Sequence, residues 1–287
     1  MEVDQTAFDI CDDHEHNDLS VDYVLENVLS TQEDSDNCEE YQQLKESYNS
    51  VLINGCQCNE NKDSCVLCLH SGNYVFDLRS KELVLDRERS KELIYECNYQ
   101  CECDPIKCLN RLVQKGPRKG LKIINSEMCY SKGLITTKLI PQGGFICEYA
   151  GEILTHNEAL RRQKENMEAS SMNYILFLNE RNIEDKYSTK FGAHTTIIDP
   201  CKRGNIGRYL NHSCNPNCEA RSVRVDCPIP KIGIFAKRSI IAGEELCFHY
   251  NEGLIEVKEK INLAITKRTI CLCGAPNCLG YLPTGNL

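Results

Sequence analysis

The sequence contains no tryptophan among its 287 residues and no long hydrophobic run. No stretch approaches the roughly 18 consecutive apolar residues that a membrane-spanning helix needs. The first residues, Met1 to Asp4, carry neither the basic start nor the apolar stretch of a secretory signal peptide. We therefore expect a protein of a reducing compartment, with no membrane partner.

Negative charge is concentrated at one end of the sequence. Residues 1–53 hold 15 Asp and Glu against one Lys, a balance of −14, whereas the whole chain has −9, which leaves +5 for residues 54–287. We expect residues 1–53 to be an acidic, largely disordered leader, with weak helical periodicity from Val21 to Leu29. The mildly basic remainder suits either a chromatin setting or an ordinary solvated surface.

Cysteine is abundant, with 20 residues. In a reducing compartment, closely spaced cysteines indicate metal binding before disulfides. Eight of them fall within residues 54–114, where their thiolates can converge on tetrahedral Zn²⁺ ions that replace an apolar core. These eight candidate ligands are Cys56, Cys58, Cys65, Cys68, Cys97, Cys101, Cys103 and Cys108.

Residues 271–287 contain a second group of candidate zinc ligands, Cys271, Cys273 and Cys278. Three thiolates at this spacing leave one position of a tetrahedral zinc ion open. A charged connector, residues 252–270, precedes this group.

Short β-type runs alternate with turn signals between residues 115 and 251. Thr155 and Glu158 have the spacing of a capping box and predict one helix, on which Arg161 and Arg162 are expected to face solvent. The body is therefore mainly β. The predicted strands are residues 145–150, 174–178, 195–198, 232–236 and 246–250.

Three segments follow one another in an informative order: Gly204-Asn-Ile-Gly-Arg-Tyr-Leu-Asn-His-Ser-Cys-Asn-Pro-Asn217, Glu245-Leu-Cys-Phe-His-Tyr250 and Cys271-Leu-Cys-Gly-Ala-Pro-Asn-Cys278. Together they resemble the catalytic end of SET-domain protein lysine methyltransferases. The upstream cysteines resemble the pre-SET module of the heterochromatin class of that family.

This resemblance implies a mainly β fold, a SET-domain β-clip of small sheets in which the Asn-His-Ser-Cys and Phe-His-Tyr segments form a pseudoknot. It implies a pre-SET zinc module at residues 54–114, a SET catalytic domain at 115–251 and a post-SET zinc segment at 271–287. The fourth ligand of the post-SET ion is then Cys214.

The resemblance also bears on the number of zinc ions. The family's pre-SET module holds three ions with nine cysteines, three of which bridge. This chain has eight, and a cysteine expected between Cys58 and Cys65 is absent. Either His70, Asp63 or Glu60 supplies a ligand or fewer ions bind, so we expect a cluster of two or three ions.

Lysine methylation requires a neutral amine, aligned with a sulfonium methyl group inside an apolar tunnel. By resemblance, Tyr250 is the catalytic tyrosine and Tyr149 lines the lysine channel. Phe248 stands where the family carries Phe or Tyr, and it implies room for a methylated amine and hence di- or trimethyl products. The implied cofactor is S-adenosylmethionine, with candidate contacts Ser131, Lys132, Gly133, Tyr174, Asn211 and His212.

Two positions depart from the family pattern. The Gly-Trp-Gly loop that cradles the cofactor is here Ser131-Lys132-Gly133, and a lysine charge is unfavourable near a sulfonium. The Asp that normally separates Phe from Tyr is His249, which changes the local charge.

The implied substrate is the histone H3 tail at its ninth-position lysine, or another lysine-containing protein. Chromatin is the implied partner, and the nucleus and its chromosomes are the implied location. The alternative is a non-catalytic chromatin scaffold that keeps the fold and has weakened cofactor binding.

Overall fold

The computed structural model describes residues 12–14, 17–31, 39–52, 55–58, 70, 73–88, 94–169, 171–180, 195–250 and 269–283. Within these ranges lie two α-helices, α1 Glu39–Asn49 and α2 His156–Glu168, and two short 3-10 helices, Val113–Lys115 and Ile206–Tyr209. The strands are β1 Asp22–Tyr23, β2 Val28–Leu29, β3 Tyr74–Asp77, β4 Glu82–Leu85, β5 Ile94–Tyr95, β6 Leu121–Ser126, β7 Ser131–Thr136, β8 Phe145–Glu148, β9 Gly151–Ile153, β10 Leu176–Asn179, β11 Thr195–Gly204, β12 Asn211–His212, β13 Cys218–Arg224, β14 Lys231–Ala236 and β15 Cys247–Phe248.

The strands form small sheets, as the predicted mainly β class requires. One sheet has the order β1-β11-β9-β2, with β10 also paired to β11, and a second has the order β5-β13-β14-β8. Two antiparallel hairpins, β3-β4 and β6-β7, and one parallel pair, β12-β15, complete the set within the described ranges. The predicted β-clip of small sheets is confirmed.

The largest hydrophobic cluster lies between these sheets. Its members come from distant parts of the chain, such as Leu134 of β7, Ile198 of β11 and Ile234 of β14, all of them fully buried. Two aromatic residues of the predicted site, Tyr149 and Phe248, belong to the same cluster. The predicted site is therefore part of the main hydrophobic core.

Part of the acidic leader is folded against this body. The expectation of disorder is wrong for residues 17–31 and 39–52, because β1 pairs with β11, β2 pairs with β9, and Leu44 and Tyr48 of α1 pack against the main core. Glu40 accepts a hydrogen bond of 2.6 Å from the backbone N–H of His156, at the start of α2.

The segment from Val21 to Leu29, which has weak helical periodicity, contains strands instead of a helix. Its strands β1 and β2 pair with β11 and β9.

Helix α2 begins as predicted. Thr155 is the N-cap, and its side-chain oxygen accepts a hydrogen bond of 3.2 Å from the backbone N–H of Glu158. The Glu158 carboxylate instead binds Arg161 and Arg162, at 2.7 Å each. Arg161 faces solvent as expected, with 57% of its side chain exposed, but Arg162 is turned away from solvent, with 14% exposed.

Arg162 ties the helix to two strands. Its Nη1 lies 2.8 Å from Glu152 Oε2 on β9 and 2.8 Å from Asp199 Oδ2 on β11, and its Nε contacts Glu158. Both strand carboxylates are buried. The guanidinium therefore compensates three carboxylates that have little access to water.

Neither α-helix of the described ranges is long and apolar enough to span a bilayer. Most of the predicted connector lies outside the described residues, as does the end of the post-SET segment beyond residue 283. The boundaries of the domains stay predictions.

Replacing Arg162 by alanine should lower the free energy of unfolding by about 3–5 kcal/mol, because it leaves buried carboxylates without their counter-charge. Arg161→Ala removes the same group from an exposed position of the same helix and should cost less than about 1 kcal/mol. Urea unfolding followed by circular dichroism compares the two variants. Equal losses would contradict the burial argument.

Candidate active site

Two distant segments meet in a parallel pair at the centre of the site. Asn211 and His212 of β12 pair with Cys247 and Phe248 of β15. A backbone hydrogen bond of 3.1 Å from Ser213 N–H to the Phe248 carbonyl extends the pairing. The predicted cofactor segment and the predicted catalytic segment are thereby fixed side by side.

Three aromatic rings, all predicted from the sequence, lie together beside this pair. The ring centroids of Tyr149 and Phe248 are 5.8 Å apart, and those of Phe248 and Tyr250 are 5.0 Å apart. Tyr149 is 5% exposed and Phe248 is 1% exposed. The rings therefore form an apolar wall of the kind that a lysine side chain requires.

Both tyrosine hydroxyls are anchored to backbone carbonyls. Tyr149 donates a hydrogen bond of 2.6 Å to the Tyr174 carbonyl, and Tyr250 donates one of 3.0 Å to the Leu210 carbonyl. Burial raises the pKa of the Tyr149 and Tyr250 hydroxyls. Both therefore stay neutral and keep their orientation at physiological pH.

His212 is held as a neutral imidazole between the aromatic wall and the C-terminal cysteines. Its Nδ1 accepts a hydrogen bond of 3.2 Å from the Tyr250 backbone N–H, so the ring proton is on Nε2, which lies 3.4 Å from Cys214 Sγ. Burial, followed by the neighbouring His249 ring at 4.8 Å, lowers the pKa of His212 to about 4. One ring thus connects Tyr250 to Cys214.

The altered loop Ser131-Lys132-Gly133 lies on β7, next to Asn211. The Asn211 side-chain amide donates to the Lys132 carbonyl at 3.1 Å, and Ser131 Oγ lies 3.3 Å from Asn211 Oδ1. Lys132 Nζ contacts Asn125 Oδ1 across the hairpin at 3.1 Å, on the exposed surface. That contact holds the ammonium group at the exposed surface of the hairpin.

Glu245 lies beside this loop and was not among the site residues predicted from the sequence. Its Oε1 accepts a hydrogen bond of 2.8 Å from Asn211, and its Oε2 accepts one of 2.9 Å from Ser126. A Cβ on Gly133 would lie 2.6 Å from Glu245 Oε1, so a side chain at this position would displace the Glu245 carboxylate. The signal for Glu245 was its place at the start of the Glu-Leu-Cys-Phe-His-Tyr segment.

Tyr174, the remaining predicted cofactor contact, is covered by Arg208. The guanidinium carbon lies 4.5 Å from the Tyr174 ring centroid, and the Arg208 Nε donates to the Pro200 carbonyl at 3.0 Å. Asp18 of the leader lies 3.7 Å from Arg208 and accepts a hydrogen bond of 3.2 Å from the Tyr209 hydroxyl. The leader therefore reaches the edge of the site.

The C-terminal cysteines assemble as predicted. The sulfurs of Cys214, Cys271, Cys273 and Cys278 all lie within 4.8 Å of one another. Burial opposes ionisation of Cys273, but hydrogen bonds from backbone N–H groups and from neighbouring thiols lower its pKa to about 6. Four convergent thiols, one of them easily ionised, fit a tetrahedral zinc ion.

The upstream cysteines form two groups that share one member. Cys56, Cys97 and Cys101 converge with His70, and Cys97 also converges with Cys103 and Cys108. The pKa of Cys101 is lowered to about 3, and the main cause is a hydrogen bond from the Cys97 thiol. Cys58 packs against the same cluster.

Four positions considered in the sequence lie outside the described residues. These are the candidate ligands Cys65 and Cys68 and the alternatives Asp63 and Glu60. Of the three non-cysteine alternatives, the structure places His70 among the sulfurs.

The chain is similar to known proteins over most of its length. Residues 131–251 match the model of the SET domain. The probable histone-lysine N-methyltransferase set-23 of Caenorhabditis elegans is 39% identical over 241 residues, which are 81% of this chain and 88% of that protein. The crystal structure of the methyltransferase domain of human histone-lysine N-methyltransferase SETMAR gives a TM-score of 0.67 at 30% identity, and the match covers 92% of this chain and 89% of that chain. Arabidopsis thaliana SUVH6, solved in complex with SAM, gives a TM-score of 0.65 at 27% identity over 95% of this chain and 52% of that chain.

Cys273→Ser should remove one zinc ion per chain and weaken S-adenosylmethionine binding by about tenfold, the scale on which neighbours of metal ligands act. The reason is that Cys214 contacts His212 and belongs to the same group of thiols as Cys273. Elemental analysis and calorimetry measure the two effects. Cys227→Ser, a half-buried cysteine of the β13–β14 turn, is the matched control, and loss of zinc with unchanged cofactor affinity would contradict the coupling.

Proposed function

Because the chain belongs to the SET-domain family of histone-lysine N-methyltransferases, we propose that it methylates the ninth-position lysine of histone H3 and forms di- or trimethyl products. It is a protein lysine N-methyltransferase that uses S-adenosylmethionine. The observation that carries the proposal is the β12–β15 pair, which places three aromatic rings against the Asn211-His212 segment.

The aromatic wall has a definite chemical task. A free lysine has a pKa of about 10.4 and is charged in water. Between the Tyr149, Phe248 and Tyr250 rings it loses hydration, which favours the neutral amine. We expect the Leu210 carbonyl, which is held by the hydrogen bond from the Tyr250 hydroxyl, to accept a hydrogen bond from that amine.

Of the predicted cofactor residues, Asn211 lies against Ser131 and Lys132. S-adenosylmethionine supplies, when bound, a methyl group on a sulfonium. We assign its contacts to Ser131, Lys132, Gly133, Tyr174, Asn211 and His212. The neutral imidazole of His212 suits this role because an imidazolium would repel the positive sulfonium.

Zinc is the structural cofactor. The post-SET ion is assigned to Cys214, Cys271, Cys273 and Cys278, and the pre-SET ions to the upstream cysteines. The substrate class and the metal modules support a role on chromatin, and we propose the nucleus and its chromosomes as the location.

The substrate assignment is tested by mass spectrometry of an H3 tail peptide incubated with enzyme and S-adenosylmethionine. The expected result is a mass gain of two or three methyl units, which is lost when the ninth-position lysine is replaced by arginine. Methylation of the arginine-substituted peptide at the same rate would contradict the chosen lysine.

Tyr250→Phe should reduce the rate about 100-fold with little change in cofactor affinity, because it removes only the hydroxyl that holds the Leu210 carbonyl.

Phe248→Tyr should shift the products toward monomethyl lysine. An added hydroxyl at this buried ring, next to Tyr149 and Tyr250, takes the space that a methylated amine needs. Phe145→Tyr adds the same hydroxyl to another buried phenylalanine, which lies in a separate hydrophobic cluster, and it should leave the product ratio unchanged. The ratio is read at matched substrate conversion, and an unaltered ratio in Phe248→Tyr rejects the role of this ring.

A further inference from the structure

We propose that His70 is a zinc ligand, which completes a Cys3His site with Cys56, Cys97 and Cys101 and stands in for the ninth cysteine of a three-ion cluster. The proposal rests on zinc binding by the pre-SET module. It does not depend on the methyl transfer reaction.

The distances fit two donors on one metal ion. With Zn–S of about 2.3 Å and Zn–N of about 2.0–2.1 Å, tetrahedral geometry separates a sulfur from a nitrogen by about 3.6 Å and two sulfurs by about 3.8 Å. His70 Nδ1 lies 3.7 Å from Cys101 Sγ, and the sulfurs of Cys56 and Cys97 are 3.9 Å apart. The assigned terminal zinc site gives a similar value, 4.0 Å between Cys214 and Cys271.

His70 is held in this position by its backbone. Its carbonyl accepts hydrogen bonds from the side-chain amides of Asn73 at 2.9 Å and Asn110 at 3.0 Å. The same Asn110 amide lies 3.6 Å from Cys97 Sγ. With 5% exposure, the imidazole is buried among sulfurs and directed at them, as a ligand would be.

A buried cation beside the sulfurs favours their thiolate form. Arg111 is 3% exposed, and its Nη2 lies 3.7 Å from Cys103 Sγ. Thiolates would place negative charge beside this guanidinium, and they are the form of cysteine that binds metal.

The number of donors then matches three ions. Three tetrahedral ions need twelve positions, which nine donors fill when three of them bridge. The sequence has eight cysteines within residues 54–114, and His70 makes nine candidate donors. An imidazole nitrogen has one lone pair and cannot bridge, so the bridges must be thiolates, and Cys97 is the shared member of both described groups. Substitution of a thiolate by a neutral imidazole makes the cluster one charge unit less negative.

Zinc content and ¹¹³Cd NMR of the full chain test the proposal. The wild type should bind four zinc ions per chain, three in the cluster and one at the C-terminal site, and the cadmium form should show one resonance in the range of three sulfurs and one nitrogen. His70→Ala should lose one ion. His70→Cys should keep four and move that resonance into the four-sulfur range, and it keeps the test informative if His70→Ala fails to fold.

His156→Ala, at an exposed position of α2, is the control and should leave both measurements unchanged. Four ions in His70→Ala, or a wild-type spectrum with four-sulfur resonances only, would overturn the proposal. Both measurements are made without substrate, so they stand apart from the methylation assay. If the protein binds four zinc ions but does not methylate the peptide, the result counts against the proposed function and not against the assignment of His70.

Discussion

The whole site depends on the parallel pairing of Asn211 and His212 with Cys247 and Phe248. The two strands have only two residues each, and so few hydrogen bonds cannot hold two distant segments together. Packing supplies the rest, because Leu210, Leu246 and Phe248 are fully buried in the main core. The cofactor segment and the catalytic rings are therefore positioned by the same hydrophobic cluster that stabilises the fold.

Metal extends this constraint to parts of the chain that have little apolar core. The upstream module is built on Cys56, Cys97, Cys101, Cys103 and Cys108, which pack against one another. At the other end, the Cys214 group joins the C-terminal segment to the Asn-His-Ser-Cys motif. Through His212, which contacts both Cys214 and the Tyr250 backbone, that metal site is one residue away from the aromatic wall.

Features with a local cause could be predicted from the sequence. The Thr155 cap, the glycine-bounded strands and the short cysteine spacings each depend on neighbours in the chain, and the structure has them. The segment from Val21 to Leu29 could not be predicted in this way, because its strands exist only where β9 and β11 offer their edges. The ion pairs of Arg162 could not be predicted either, because its buried carboxylate partners lie 10 and 37 positions away in sequence.

A working cofactor site requires that the altered loop Ser131-Lys132-Gly133 still binds S-adenosylmethionine, and titration calorimetry with this cofactor measures that directly. The geometry of Ser131, Lys132 and Gly133 against Asn211 and Glu245 predicts saturable binding of one cofactor per zinc-loaded chain, with a dissociation constant below about 1 mM. No binding at millimolar cofactor would contradict the claim and favour a non-catalytic chromatin scaffold.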